Sequence, residues 1–330
     1  MSCPYSSLPP SSFWQSGSVT HENLFTIDKQ VKVASYGSCF AARIAEEMRQ
    51  RSLNYIQLED RTSFAPDGQS FSSASGNIYS LAQFHSKLTR AMGYKNLATP
   101  VTNEDGTWSN PLRPLVRSYG AMADAIADEK SHNENFLQSI RACDTLILTI
   151  GLNEYWENQD EGFAYPICPG CGWGSYDELR DQAKLGTLEI NISYLQQIEH
   201  LVAEVNKEAR LIWTLSPVPL VATHTPIPAV QANILSKAIL RASLSAHFSE
   251  SDTRSIYFPS YEIISNPFTI NENFQSDMRQ VSPIGVARVM SELFSDVDTP
   301  SSGVRQDDQS AKDPCDEENY LQNIRARSEI

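Results

Sequence analysis

The sequence has no run of about 18 consecutive apolar residues, the length a helix needs to cross a bilayer, so no membrane span is expected. It is also short of positive charge. Twenty-six Lys and Arg stand against 40 Asp and Glu, a formal net charge of −14. That balance argues against nucleic acid or an anionic membrane as a general partner and fits an acidic, soluble surface. The opening Met1-Ser-Cys-Pro-Tyr-Ser-Ser-Leu-Pro-Pro10 lacks a basic start and an apolar stretch, so no secretory signal is expected. Cysteine is sparse: six residues, at 3, 39, 143, 168, 171 and 315, are scattered through 330. Such spacing fits reduced thiols in a cytoplasmic protein better than a disulfide framework. No internal repeat is found.

What is present is 41% apolar content, enough for a substantial core in one large α/β domain or two ordinary ones. Residues 1–30, rich in Pro, Ser and aromatics, read as an irregular N-terminal arm. Residues 31–296 alternate strand and helix patterns and form the domain. Residues 297–330 hold eight acids and four Lys or Arg and read as an acidic, mostly disordered tail. Strands are expected at 31–36, Leu53–Leu58, Thr145–Ile150, Leu211–Leu215 and Ser255–Phe258. Apolar spacing predicts a helix after Gly37, with Phe40, Ile44 and Met48 on one face. Further helices are expected at Ile78–Met92, Ala121–Ile126 with a continuation over 132–142, Thr187–Ala209, Pro228–Phe248 and Pro283–Phe294. Residues 59–76 and 95–118 read as long loops, and 157–186 as a long insertion containing Gly and Cys.

This alternation predicts an α/β fold with a parallel sheet and helices on both faces. Ligands in such sheets bind at the carboxyl ends of the strands. Those ends offer Ser38 and Cys39, Asn153 and Glu154, Ser216, and Tyr261 and Glu262, all expected on one edge. The turn Gly37-Ser38-Cys39 admits two readings. Either its small residues pack a tight strand-to-helix turn, or a nucleophile sits at a helix start, where backbone N–H groups and the helix dipole favour a thiolate.

Gly37-Ser38-Cys39-Phe40-Ala41 spells the pentapeptide for which the GSCFA family is named. Gly76-Asn77-Ile78-Tyr79, Leu112-Arg113-Pro114, Ser216-Pro-Val-Pro-Leu220 and Phe258-Pro-Ser-Tyr-Glu262 agree with it in order. About residues 30–295 therefore resemble that family, which looks like a branch of the SGNH/GDSL hydrolase clan. The resemblance implies a three-layer α/β/α sandwich, flavodoxin-like and SGNH hydrolase-like. It implies an acyl ester hydrolase or acyltransferase, with a small-molecule or carbohydrate-linked acyl ester as substrate. Laid on the clan's Gly-Asp-Ser motif, Cys39 takes the nucleophile position and Ser38 the Asp position, with Ser38 the lesser alternative as nucleophile. Gly76 would give a backbone N–H to the oxyanion, and Asn153 of Gly151-Leu-Asn-Glu154 an amide. Asn77 could instead cap the helix beginning at Ile78.

The clan's Asp-x-x-His falls on Asp277-Met-Arg-Gln280, where Gln280 stands in place of the base. Glutamine makes hydrogen bonds but holds no proton for transfer. Three accounts stay open: a non-catalytic binding protein on a hydrolase fold, a Cys39 that needs little help, or another base. His224 is the candidate; His85 and His200 fall inside helices and read as ordinary residues. No cofactor or metal is expected. Cys168-Pro-Gly-Cys171 supplies two ligands where structural zinc takes four, and reads as a loop turn. Arg113 could bind an anionic group or clamp a loop.

Overall fold

The computed structural model describes residues 27–59, 71–248 and 254–294. Residues 1–26 of the expected arm, 60–70 of the first long loop and the whole expected tail lie outside the described residues. In chain order, β1 (Val33–Tyr36) leads into α1 (Cys39–Gln50), and α2 (Leu81–Ala91) follows. Strands β2 (Val101–Thr102), β3 (Trp108–Ser109) and β4 (Ser118–Tyr119) come next, then α3 (Met122–Ala142) and β5 (Thr145–Ile150). Then come β6 (Glu154–Asn158), β7 (Phe163–Tyr165), β8 (Asp181–Leu185), α4 (Leu188–Val205), β9 (Arg210–Leu215) and α5 (Ala229–Phe248). The described chain closes with β10 (Ser255–Phe258), two short helical turns α6 (Ser260–Ile264) and α7 (Ile270–Asn273), and α8 (Pro283–Leu293).

The central sheet has the order β1-β5-β9-β10, and every pair is parallel. Its strands are apolar on both faces because both faces are covered. Alternate residues sort cleanly. Ala34, Tyr36, Leu146, Leu148, Leu211, Trp213 and Leu215 pack under α2, α3, α4 and α5. Val33, Ile147, Ile212 and Phe258 pack under α1, α6 and α8. The result is a three-layer α/β/α sandwich.

The segment expected as a strand at Leu53–Leu58 makes a single parallel bridge, Tyr55 to Val33, on the outer edge of β1. Chain connections therefore run outward from β1 to Tyr55, then back across to β5. The order reverses between β1 and β5, where an open parallel sheet leaves a crevice.

The helix expected at Ala121–Ile126 with its continuation over 132–142 is one helix, α3. One expectation is corrected: the stretch 95–118, expected as a loop, carries the antiparallel sheet β2-β3-β4, and the insertion 157–186 carries most of a second, β7-β6-β8. Their strands are two to five residues long, too short to show a period. They close over a third apolar cluster of Ala98, Leu112, Phe163, Tyr165 and Trp173. Among the described residues no helix is long and apolar enough to cross a membrane.

Candidate functional site at the carboxyl edge of the sheet

The turn after β1 is fixed by close approach. A Cβ on Gly37 would lie 2.5 Å from the Thr149 carbonyl oxygen of β5, so only glycine fits. Ser38 is the N-cap of α1, and its carbonyl accepts from Ala41 N at 2.8 Å. Its hydroxyl does not cap the helix. It is 3% exposed and has no hydrogen-bond partner among the described residues, and the Thr149 hydroxyl beside Gly37 is in the same state. Buried hydroxyls are nearly always paired, so two unpaired ones at one turn mark a polar position left open. Cys39 opens α1; its side chain lies outside the described residues.

The loop 76–79 ties the ends of β1 and β5 together. Ile78 N donates to Gly37 O at 2.8 Å, and Tyr79 O accepts from both Gly151 N and Leu152 N at 2.9 Å. Gly76 turns the loop in a left-handed conformation, φ +65°, which a side chain would strain. The helix expected from Ile78 begins at Leu81, so Asn77 does not cap it. The N-cap is Ser80, whose hydroxyl accepts from Gln83 N. Buried Gln83 reaches back with both ends of its amide, accepting from Tyr79 N at 2.8 Å and donating to Asn77 O at 2.7 Å. The loop is thereby clipped to α2.

Beneath the loop lies a sealed charge cluster. Arg113, 2% exposed, donates to Ala74 O at 3.3 Å and Glu129 at 2.9 Å, and it pairs with Asp128. Of its two expected roles, this is the clamp. Lys87 donates to Leu112 O at 3.2 Å, and burial pushes its ammonium down to about 8. Glu59 accepts from Ala74 N and from His132 Nδ1. Burial, with Arg113 and Lys87 nearby, holds His132 well below its usual value, and its Nε2 has no partner among the described residues.

At the end of β5, Asn153 is 3% exposed. Its amide donates to Gly186 O at 2.7 Å and accepts from Asn191 Nδ2 at 2.7 Å. Its backbone N–H donates to Ser236 Oγ at 2.9 Å. Next to Ser236, the buried ammonium of Lys237 donates to Gly151 O and Ser216 O, both at 2.8 Å. It pins the ends of β5 and β9 together. Sequence reasoning missed Asn191, Ser236 and Lys237. The available signal was Ser236 and Lys237 standing on the same helical face as Leu240 and Leu244, where apolar residues belong.

Beside this edge opens a cavity of about 310 Å³, with Tyr79 and Leu152 in its wall. Glu154, directly after Asn153, accepts from His224 Nδ1 at 2.6 Å, His224 N at 3.2 Å and Thr223 Oγ1 at 3.0 Å. A carboxylate only accepts, so His224 Nδ1 is the donor to Glu154 and Nε2 is the ring nitrogen turned away from it. His224 and Glu154 both line the cavity.

So do Cys168 and Cys171, which form a turn closed by Cys171 N to Cys168 O at 3.3 Å. Both are free thiols, and the hydrogen bond between them pulls Cys171 down and pushes Cys168 up. Among the described residues no cluster of three or more His, Cys, Asp or Glu could hold a metal.

The remaining expected residues make the following contacts. Asp277 is exposed and accepts from Arg279 N and Gln280 N at 2.9 and 3.0 Å, a local turn between α7 and α8. Glu262 faces α5, held by Arg241 and Tyr257. His85 packs on Tyr194, and burial lowers its pKa. His200 is surface-exposed beside Glu204.

The hydrogen-bonded run therefore passes from Gly37 through Ile78–Tyr79 and Gly151–Leu152, and continues in sequence to Asn153 and the Glu154–His224 pair. No curated protein matches the chain. The GSCFA family model matches residues 32–293, and the chain belongs to the GSCFA family.

Proposed function

We propose that this protein is an SGNH-like acyl ester hydrolase or acyltransferase, and that the Glu154–His224 pair replaces the base missing at Gln280. The observation that carries the reading is the single hydrogen-bonded edge just described. It runs from a helix-start turn through a backbone clamp to the strand end that is followed by a carboxylate-oriented imidazole, which supports the reading.

The chemistry runs in two halves. The Cys39 thiolate attacks the acyl carbonyl, and the carbon–oxygen ester bond breaks. His224 Nε2, protonated, gives its proton to the departing alkoxide, leaving a thioester on Cys39. Water or an acceptor hydroxyl then loses its proton to His224 Nε2 and attacks the thioester, releasing the acid or the new ester and the thiolate. Glu154 holds Nδ1–H throughout and so fixes the tautomer, as the third member of such a relay does. The oxyanion falls to the N–H groups at the start of α1, the N–H of Gly76 and the second N–H of the Asn153 amide, since only one of that amide's two protons is given to Gly186.

A second reading, a binding protein on the same fold, is favoured by Gln280 and the exposed Asp277 beside it. Turnover of p-nitrophenyl butyrate separates the two. The hydrolase reading expects Cys39→Ala to abolish turnover, His224→Ala to lower it by about 10²–10⁴, and Gln280→His to change little. Turnover unaltered by both Cys39→Ala and His224→Ala would leave the binding protein standing.

A further inference from the structure

The cavity beside the sheet edge is walled mostly by apolar surface, and most of its polar side chains bond to other groups of the protein. Ser80 caps α2. The Gln83 amide is bonded at both ends. The Thr223 hydroxyl is shared between Glu154 and Thr225. The tyrosine hydroxyls follow suit. That of Tyr165 donates to Asp181 and accepts from Asn158, and that of Tyr155 bonds to Tyr194.

Glu154 and His224 in the lining pair with each other. What is left to meet a guest is ring faces and aliphatic surface: Trp156, Tyr155, Leu152, Ile167, Leu220 and Val221. Most of the polar side chains in the wall are thus tied to the protein, and His224 Nε2 is the group the hydrolase reading reserves for proton transfer. An apolar guest gains by burial against the ring and aliphatic faces.

We propose that this cavity is the acyl pocket of the site and takes an uncharged, apolar acyl or aryl group of medium size. This assignment to an acyl group rests on the hydrolase reading above. The sugar or other alcohol of the ester then lies outside the pocket, on the leaving-group side. Size follows from volume. At about 310 Å³ the cavity lies at the small end of the roughly 300–1,000 Å³ of ligand pockets. That suits a butanoyl to octanoyl chain or a benzoyl ring, with palmitoyl too long and acetyl too small to fill it. Position follows from the wall. Tyr79 and Leu152 line the cavity; the Tyr79 carbonyl accepts from Leu152 N at the end of β5, and the neighbouring Ile78 N donates to Gly37 O at the end of β1. Glu154 and His224, the proposed orienter and base, stand in the same wall, so the proposal sets the guest's carbonyl toward the His224 end of the cavity.

Two measurements on the full chain test this. The first is kcat/KM for p-nitrophenyl acetate, butyrate, octanoate and palmitate. The second is calorimetric binding of octanamide, an uncharged probe that is not an ester, against glucose as control. Ala222 lines the cavity and is exposed, so Ala222→Trp narrows the pocket without loading the core.

The expected result is a maximum at butyrate or octanoate, saturable octanamide binding with none for glucose, and at least a tenfold loss of both octanoate selectivity over acetate and octanamide affinity in Ala222→Trp. Esters turned over with acetate preferred, and a selectivity untouched by Ala222→Trp, would overturn the pocket and leave the hydrolase. Octanamide binding weakened by Ala222→Trp, with no ester turned over, would sink the hydrolase and leave an apolar binding pocket. Glucose binding without octanamide binding would overturn the ligand class itself.

Discussion

Two polar regions flank the loop 74–79, and they are built on opposite terms. On one side Arg113, Lys87, Glu129 and His132, all buried, join Glu59 and Asp128 beneath Ala74. On the other side lie Ser38, Asn153 and the Glu154–His224 pair. The first region holds more charge, yet nearly every group in it answers another group of the protein. The second holds one carboxylate–imidazole pair, partly open to solvent, and two buried hydroxyls with no partner among the described residues. The difference teaches that charge density does not locate chemistry. A sealed cluster spends its electrostatics on holding a loop, whereas groups left open are free to meet a substrate.

The comparison breaks hardest at Arg113. Arg113→Met leaves Glu129 and Asp128 uncompensated in a buried site, so a loss of about 3–5 kcal/mol is expected in urea unfolding. A loss under about 1 kcal/mol would mean that the cluster does not hold the loop. Lys237→Met comes next. It strips hydrogen bonds from Gly151 O and Ser216 O and should cost about 2–3 kcal/mol. It should also lower turnover, because these carbonyls fix the strand ends.

A pH series is the third and milder test. His132 titrates below 6.5 in the folded protein, so the unfolded chain binds more protons below that pH and stability falls as the pH drops through 6.5. The slope is at most about 1.4 kcal/mol per pH unit. Glu59, raised by burial, acts in the opposite sense, and Arg113, Lys87, Asp128 and Glu129 face the same group. The informative quantity is therefore the difference between wild type and His132→Gln over pH 5–7, which should widen toward neutral pH in favour of wild type. A pH-independent difference would place His132 outside the account.

The smallest effect is expected at Ser38. Removing a buried, unpaired hydroxyl relieves a desolvation cost, so Ser38→Ala should leave stability unchanged or raise it by up to about 1 kcal/mol. Reduced turnover in the same variant would show that the hydroxyl is kept for the reaction. A clear loss of stability would show instead that it has a structural partner.

The fold was legible where burial on both faces wrote continuous apolar runs. β1, β5, β9 and β10 stand at the expected stretches, and α1 packs through Phe40, Ile44 and Met48. The two small antiparallel sheets were not legible. Glu154–Asn158, for example, is a half-exposed strand of mixed polarity whose partners lie across a turn-rich insertion.

At the site, the glycine turn and the Asn153 position could be read from strand ends alone. The clamps could not. Arg113, Asn191 and Lys237 act on carbonyls and amides up to 86 residues away, and no local pattern announces such a partner. His224 looked like a loop histidine because its carboxylate, Glu154, lies 70 residues earlier.

The most direct test of the central claim, a nucleophile at the turn between β1 and α1, is to trap the acyl-enzyme. The protein is mixed with p-nitrophenyl butyrate, quenched in acid, digested with trypsin and mapped by mass spectrometry. The account predicts a butyryl group on the peptide between Lys32 and Arg43, at Cys39. It should be lost in neutral hydroxylamine, as a thioester is, and absent from Cys39→Ala. Butyryl found instead on Cys168 or Cys171, or none on any residue while the ester is consumed, would contradict it.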